Sequence, residues 1–285
     1  MNELARPNEV AADAIQRALA HRFGETFPVD PQTAGLEALA LLAGRRVHRK
    51  YLQRPVDAAL LRLLCACALS APSKSDLQQA DILIVRDRIK HDIIADLLPE
   101  MPWVRDAPLF LVFLANGRRA PRVSALRGKP FPNHHLDMFF NASVDAAIVM
   151  TTFMRAAETV GLGCCPISVI RDHSATVSEL LALPERVIPV AGMTLGWPAE
   201  TGHISPRLPL AATVHEDRYD DRDFEQHVET YDRRRAAIHS YRQRDTARWG
   251  EVAFYGWSED KARQYGVPQR ADFGAFVRAK GFCLD

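Results

Sequence analysis

The apolar positions of this chain fall into a small number of clear periods. Over residues 8 to 23, Ile15, Leu19 and Phe23 recur every four positions, one face of an amphipathic helix. Gly24 ends it, and "ETFPVDPQ" with its two prolines reads as a linker. A second helix is predicted over about 34 to 43, "AGLEALALLA", and it delivers the chain to "GRRVHRKY". Pro55 opens a third, whose Leu60, Leu61, Leu63, Leu64 and Leu69 wrap most of its circumference. A strand at 81–86 and a helix at 89–98 follow. The run 108–115, "PLFLVFLA", is apolar throughout, which suits a central strand covered on both faces. The longest helix is expected at about 134 to 160, with "GLG" (161–163) as its left-handed cap. A strand "PISVI" (166–170), a helix from Ser174 or Thr176 and a strand at 187–197 come next. A Pro-rich loop then leads to polar helical segments near 221–243 and 269–280. Strands alternate with helices but are outnumbered, which predicts an α+β or α/β sandwich.

One stretch breaks this pattern. "SAPSKSDLQQ" (70–79) puts ten mostly small or polar residues between an apolar helix and a strand. It reads either as a Ser-rich turn closed by its own side chains or as a ligand loop. As a ligand loop it offers the hydroxyls of Ser73 and Ser75, the cation of Lys74, and the polar groups of Asp76 and Gln78. Its length favours the ligand. A basic run, Arg45, Arg46, His48 and Arg49, lies at a helix-to-strand junction; it is a solvated face or an anion site, for which arginine's fork is suited. Arg207 stands between two prolines in "SPRLPL" (205–210). The basic segment "GRRAPRVSALRGK" (117–129) is an exposed loop or a phosphate contact. No G-x-G-x-x-G, P-loop, H-E-x-x-H or G-x-S-x-G pattern occurs, and His134–His135 has no third ligand nearby in sequence, so no metal is expected.

Composition narrows the class. The chain has 285 residues, 47% hydrophobic and 25% charged, enough for one large domain or two small ones. A formal net charge of +1 argues against nucleic acid or an anionic membrane as partner. The five cysteines, Cys65, Cys67, Cys164, Cys165 and Cys283, make a poor disulfide framework and read as reduced thiols. The opening "MNELARPNEV" has no apolar signal region, and no apolar run reaches about 18 residues, so a soluble, cytoplasmic protein is expected.

In order, "RRVHRKY" (45–51), "APSKSDLQQA" (71–80), "AAETVGLG" (156–163) followed by "PISV", "LPERVIPVAGMTLGWP" (183–198) and "SPRLP" (205–209) with "VHEDRYD" resemble the motifs of the FMN-dependent nitroreductase family. The end of the chain looks most like its larger, NADPH-preferring oxygen-insensitive group. The resemblance implies an α+β fold, a mixed sheet surrounded by helices, in an intertwined homodimer. It implies an N-terminal helical arm (1–34), an FMN-binding domain (35–220) and a C-terminal helical extension (221–285) packing on the same domain or on the partner. Arg45, Arg46 and Arg49 with Arg207 would hold the FMN phosphate and ribityl chain. Ser73, Lys74, Ser75 and Gln78 would line the flavin from the partner subunit, and Ile167, Ser168 and Val169 would offer backbone groups near its reactive end.

Three positions depart from the family pattern. Val47 replaces a usual Ser, leaving only its backbone to serve; Asp76 replaces an Asn; Ser205 stands where a Lys often contacts phosphate or N1. The implied activity is a ping-pong oxidoreductase taking hydride from NADPH or NADH and reducing nitroaromatics, quinones or free flavin. Arg127 is placed at the NADPH 2′-phosphate. The alternatives are another flavin activity on the same scaffold (dehalogenation, dehydrogenation, flavin destruction) or a non-catalytic flavin-binding dimer.

Overall fold

The computed structural model describes residues 7–285. Along the chain run α1 (Pro7–Phe23), α2 (Leu36–Ala43), α3 (Ala58–Leu69), β1 (Ala80–Val85), α4 (Arg88–Asp96), α5 (Trp103–Asp106), β2 (Leu109–Asn116) and α6 (Arg119–Leu126). Then come α7 (Leu136–Thr159), β3 (Gly163–Ile167), α8 (Ser174–Leu180), β4 (Val187–Gly196), α9 (Phe224–Ile238), α10 (Thr246–Trp249), α11 (Trp257–Tyr265) and α12 (Phe273–Ala279). The chain forms two compact units. One takes the chain up to Arg46 together with His203–Gln269; the other takes Val47–Gly202 with Arg270–Asp285. Both are discontinuous in sequence, so neither coincides with a linear arm, domain and extension.

The larger unit is built on a four-stranded sheet in the order β1-β2-β4-β3. Its three pairings are all antiparallel, which narrows the expected mixed sheet. The uninterrupted apolar run of β2 is central, as its composition demands. Its odd residues Leu111, Phe113 and Ala115 join a core with α3 and α7, while its even residues Phe110, Val112 and Leu114 join a second core with α4 and α8. The strand is thus buried on both faces because alternate side chains supply two different layers. Among the described helices α7 alone is long and apolar enough to cross a membrane. One face of it, Met138, Ala142, Ala146, Val149 and Phe153, is built into the first core. The opposite side leaves Leu136, Phe140 and Val144 exposed at a spacing of four, and α3 likewise exposes Leu63 and Leu69.

Several predicted boundaries shift for local reasons. The third helix starts at Ala58, capped by the Asp57 carboxylate accepting from the Leu60 N–H, so Asp57 and not Pro55 sets its start. The strand expected at 166–170 is β3, Gly163–Ile167. Gly161, at φ 82°, ends α7, and Gly163 begins the strand where a Cβ would lie 2.7 Å from His48 Cβ. Ser168 and Val169 therefore stand just beyond the strand, at the start of a tight turn. The basic segment 117–129 contains a helix, α6, and α11 adds another that its polar pattern hid. In the smaller unit α1 packs Ala11, Ala12, Ile15 and Ala18 against Leu36 and Ala43 of α2.

Candidate functional site

The predicted residues divide between the two units. Arg45, Arg46, Ser205 and Arg207 belong to the smaller unit. Val47, Arg49, the 73–78 loop and Ile167–Val169 belong to the larger.

In the smaller unit the organiser is a residue that sequence reasoning missed. Arg22, in the last turn of α1, is only 8% exposed. Its Nη2 donates to the carbonyls of Ala43 (3.0 Å) and Arg45 (2.8 Å), and its Nη1 to that of Ser205 (3.0 Å). Its own carbonyl accepts the Arg207 N–H at 2.6 Å and Arg234 Nη1 at 2.9 Å. Arg234 Nη2 also donates to the Arg207 carbonyl, and Tyr231 donates its hydroxyl to Pro206 at 3.3 Å. The 205–207 turn is thereby tied to the end of α1, and the Arg207 guanidinium side is left exposed. Burial, and then the neighbouring charges of Arg207 and Arg45, push the Arg22 pKa down. Neither Arg22 nor Arg207 has an ion-pair partner among the described residues. Nothing in its own spacing distinguishes Arg22 from the ordinary basic residue of a last helical turn.

In the larger unit the 47–51 segment runs beside β3. The Val47 side chain packs on the second core, so the residue's side chain serves the fold. The His48 N–H donates to the Cys164 carbonyl at 3.1 Å. The Tyr51 hydroxyl lies 2.6 Å from the His48 carbonyl and 2.7 Å from Thr194 Oγ1. Burial raises the Tyr51 pKa far above the usual range, so it stays a neutral anchor. Arg49, held by that anchor, is exposed and lies over the Trp103 ring at 5.1 Å.

The 70–79 loop borders a cleft of about 1030 Å³, into which Ser73, Asp76 and Gln78 face alongside Arg62, Arg86 and Arg119. Lys74 and Ser75 do not line it; Lys74 Nζ donates to Ser75 Oγ at 3.2 Å. Ser75, Asp76 and Gln78 all have φ between 51° and 54°, strained for residues with a Cβ. What holds them is Asp145 of α7, 2% exposed, another residue the motifs did not reveal. Its carboxylate accepts from Ser73 Oγ (2.7 Å), the Lys74 N–H (3.1 Å) and the Gln79 N–H (3.1 Å). Ser73 Oγ in turn accepts the Gln78 N–H at 2.7 Å. A lone carboxylate in the apolar run "NASVDAAIVM" was the visible signal. Asp76 has a local role too: its Oδ1 accepts from Gln78 Nε2 at 3.1 Å and so orients that carboxamide. Gln79 is 1% exposed and lines the cleft, and its Nε2 has no partner among the described residues.

Arg127 lies at the C-terminal end of α6 and is exposed. It does not line the neighbouring cleft of about 390 Å³, whose walls are Asn116, Arg118, Arg119, Arg122, Val123 and Leu126.

The chain belongs to the nitroreductase family: the family profile matches residues 42–197, and the profile of the family's C-terminal domain matches 205–285. It is 31% identical over 226 residues to "FMN reductase [NAD(P)H]" of Bacillus subtilis, covering 77% of this chain and 90% of that one. It is 33% identical over 213 residues to "Oxygen-insensitive NADPH nitroreductase" of Salmonella typhimurium, covering 74% and 85%. Among solved structures, B. megaterium NfrA2 superposes with a TM-score of 0.79 at 30% identity, covering 87% of this chain and 98% of that one. NADPH:FMN oxidoreductase from Vibrio harveyi, complexed with NAD+, does so with 0.75 at 26%, covering 86% and 97%.

Proposed function

We propose that this protein is a homodimeric, FMN-dependent NAD(P)H oxidoreductase that reduces nitroaromatics, quinones or free flavin by a ping-pong cycle. The observation that carries the reading is the gathering of Arg22, Arg45 and Arg207 in one unit. A buried guanidinium such as that of Arg22, with no ion-pair partner among the described residues, is unfavourable until an anion joins it, and a flavin phosphate brings close to two negative charges. The donor set fits: planar forks suited to bidentate phosphate binding, with backbone carbonyls already taking the terminal nitrogens of Arg22. When bound, FMN supplies the two-electron chemistry, taking hydride from the nicotinamide and delivering it to the acceptor.

The rest is the chain's own contribution. In the smaller unit Arg45, Arg46 and Arg207 hold the phosphate and ribityl chain and Ser205 contributes backbone; in the larger unit Arg49 and the Val47 backbone are flavin-binding candidates of their own. Ile167, Ser168 and Val169 present backbone at the turn after β3. Ser73, Lys74, Ser75, Asp76 and Gln78 face the flavin of a second copy, which covers the exposed stripe Leu136, Phe140 and Val144 of α7. The basic segment 117–129 meets the NADPH 2′-phosphate through the arginines at the start of α6, in place of the Arg127 that the sequence suggested. Cysteines outside any disulfide, at 65, 67, 164, 165 and 283, suit a reducing cytoplasm.

Spectroscopy tests the reading directly. Purified protein, or apoprotein titrated with FMN, is expected to show bound-flavin absorbance that NADPH bleaches under argon and that a quinone or nitroaromatic restores. Protein that neither carries nor takes up FMN would sink the proposal, and flavin that NADPH cannot bleach would reduce it to a binding scaffold.

A further inference from the structure

We propose that Arg22 is a positioning residue for the flavin phosphate, holding the segments that carry Arg45 and Arg207 together as one anion-binding arrangement. The inference rests on the FMN reading above and adds to it a residue from α1, which precedes the residues matched by either family profile.

The geometry is that of a clamp. One guanidinium spans the carbonyls of Ala43, Arg45 and Ser205 at 2.8 to 3.0 Å, and the same residue's carbonyl receives the Arg207 and Arg234 donors. Three segments far apart in sequence therefore meet on a single side chain: the end of α1, the junction after α2, and the turn at 205–207. A planar fork bridges three carbonyls in this way, whereas an ammonium is a compact point charge.

A clamp that served folding alone would be cheapest if it were uncharged or paired with an acid. Arg22 is neither. It is buried, has no ion-pair partner among the described residues, and the charges of Arg207 and Arg45 act on it in the same direction as its burial. The desolvation of that charge and its repulsion by Arg207 are offset when a dianion arrives, as a clamp beside a phosphate requires. Ser205 fits the same logic. Its side chain brings no charge, and the Arg22 guanidinium stands on its carbonyl and supplies a cation to that turn.

The test separates the phosphate from the ring. Apoprotein of the full chain is titrated with FMN and with riboflavin, which lacks the phosphate, and flavin fluorescence is followed. Wild type is expected to bind FMN the more tightly. Arg22→Gln should weaken FMN on the order of tenfold while riboflavin changes less than about twofold, since only the phosphate-dependent part depends on the clamp. Arg22→Lys, which keeps a buried cation, guards against loss of folding; its preference for FMN over riboflavin should fall to an intermediate value. Variants that lose thermal stability yet keep the wild-type preference would make Arg22 merely structural and overturn the inference. So would FMN and riboflavin weakening in parallel. Wild type that binds neither flavin would overturn the functional reading itself, a result distinct from failure of the Arg22 assignment alone.

Discussion

Asp145 and Ser73, 72 residues apart, are joined by a 2.7 Å hydrogen bond from the serine hydroxyl to a carboxylate that is 2% exposed. The same carboxylate takes the N–H groups of Lys74 and Gln79, so one helix residue fixes a loop with three positive-φ residues. Hydrogen bonds to a charged group contribute about 1.5–3 kcal/mol, enough to offset left-handed backbone at roughly 1–2 kcal/mol per residue. In Asp145→Asn one acceptor oxygen becomes an amide donor facing an N–H or O–H. The loop should then exchange its amide hydrogens at least tenfold faster (about 1.4 kcal/mol), and FMN affinity should fall. Hydrogen exchange over residues 70–79, with a flavin titration, checks both. Unchanged exchange would show that the loop holds itself.

The packing of β2 on β4 gives a second expectation. A Cβ added at Gly192 would lie 2.4 Å from Phe110 Cζ, and Phe110 is fully buried in the second core. Neither ring nor strand has room to give, so Gly192→Ala should cost about 1–3 kcal/mol of stability. Trimming the obstruction in a Gly192→Ala, Phe110→Leu double variant should cost less than the sum of the two single changes. Denaturant unfolding measures both; additive effects would mean that the contact is not the cause.

How far these features were legible depends on whether the signal was local. The continuous run of β2 announced a doubly covered strand, because a two-sided core removes the usual alternation. The long helix and the loop at 70–79 were equally visible. α6 was not, because "RAPRVSAL" carries a proline and reads as a charged loop. The candidate binding residues that motif order supplied are those whose neighbours are fixed in sequence, such as Ser73 and Arg207. Arg22 and Asp145 act through partners 183 and 72 residues away, and no spacing rule reaches that far. Asp76 shows the converse: it stands where the family pattern has Asn, and the structure gives it a partner inside the loop, Gln78.

His91 makes stability depend on pH. Its ring is 4% exposed, donates from Nε2 to the Val104 carbonyl at 2.7 Å, and faces Phe110. Burial holds its pKa below the reference value of 6.5. The unfolded chain therefore takes up the proton first as pH falls, and the folded state loses stability below about pH 6.5. Above that pH both states are neutral and the contribution is flat. Melting temperature measured from pH 8 to 5 should fall on the acid side, and His91→Gln should flatten the slope relative to wild type. An identical slope in the variant would assign the acid sensitivity to other groups.

Discrimination between NADPH and NADH is expected to lie at the start of α6 and not at Arg127. Arg118, Arg119 and Arg122 share one cleft, and among the described residues the acid paired there is Asp81, which takes Arg119 Nη2 at 2.6 Å and Asn116 Nδ2 at 2.5 Å. Asn116 Oδ1 in turn accepts the Arg118 N–H at 3.0 Å, so the network fixes the first residues of the helix. Arg119 Nη1 is buried with no partner among the described residues. Two guanidiniums beyond the Arg119–Asp81 pair leave a net positive cleft, and the exposed Val123 and Leu126 give it an apolar wall. A 2′-phosphate beside an adenosine ring matches both features. The Arg118→Ala, Arg122→Ala double variant should raise the KM for NADPH about tenfold and leave that for NADH unchanged, as losing charge-assisted contacts to one phosphate predicts. Arg127→Ala, at the exposed far end of the helix, should change either by less than about twofold. Steady-state rates with both nucleotides decide the matter. A larger effect at Arg127 would move the phosphate to the C-terminal end of α6, and equal losses with NADPH and NADH would remove the cleft from nucleotide selection altogether.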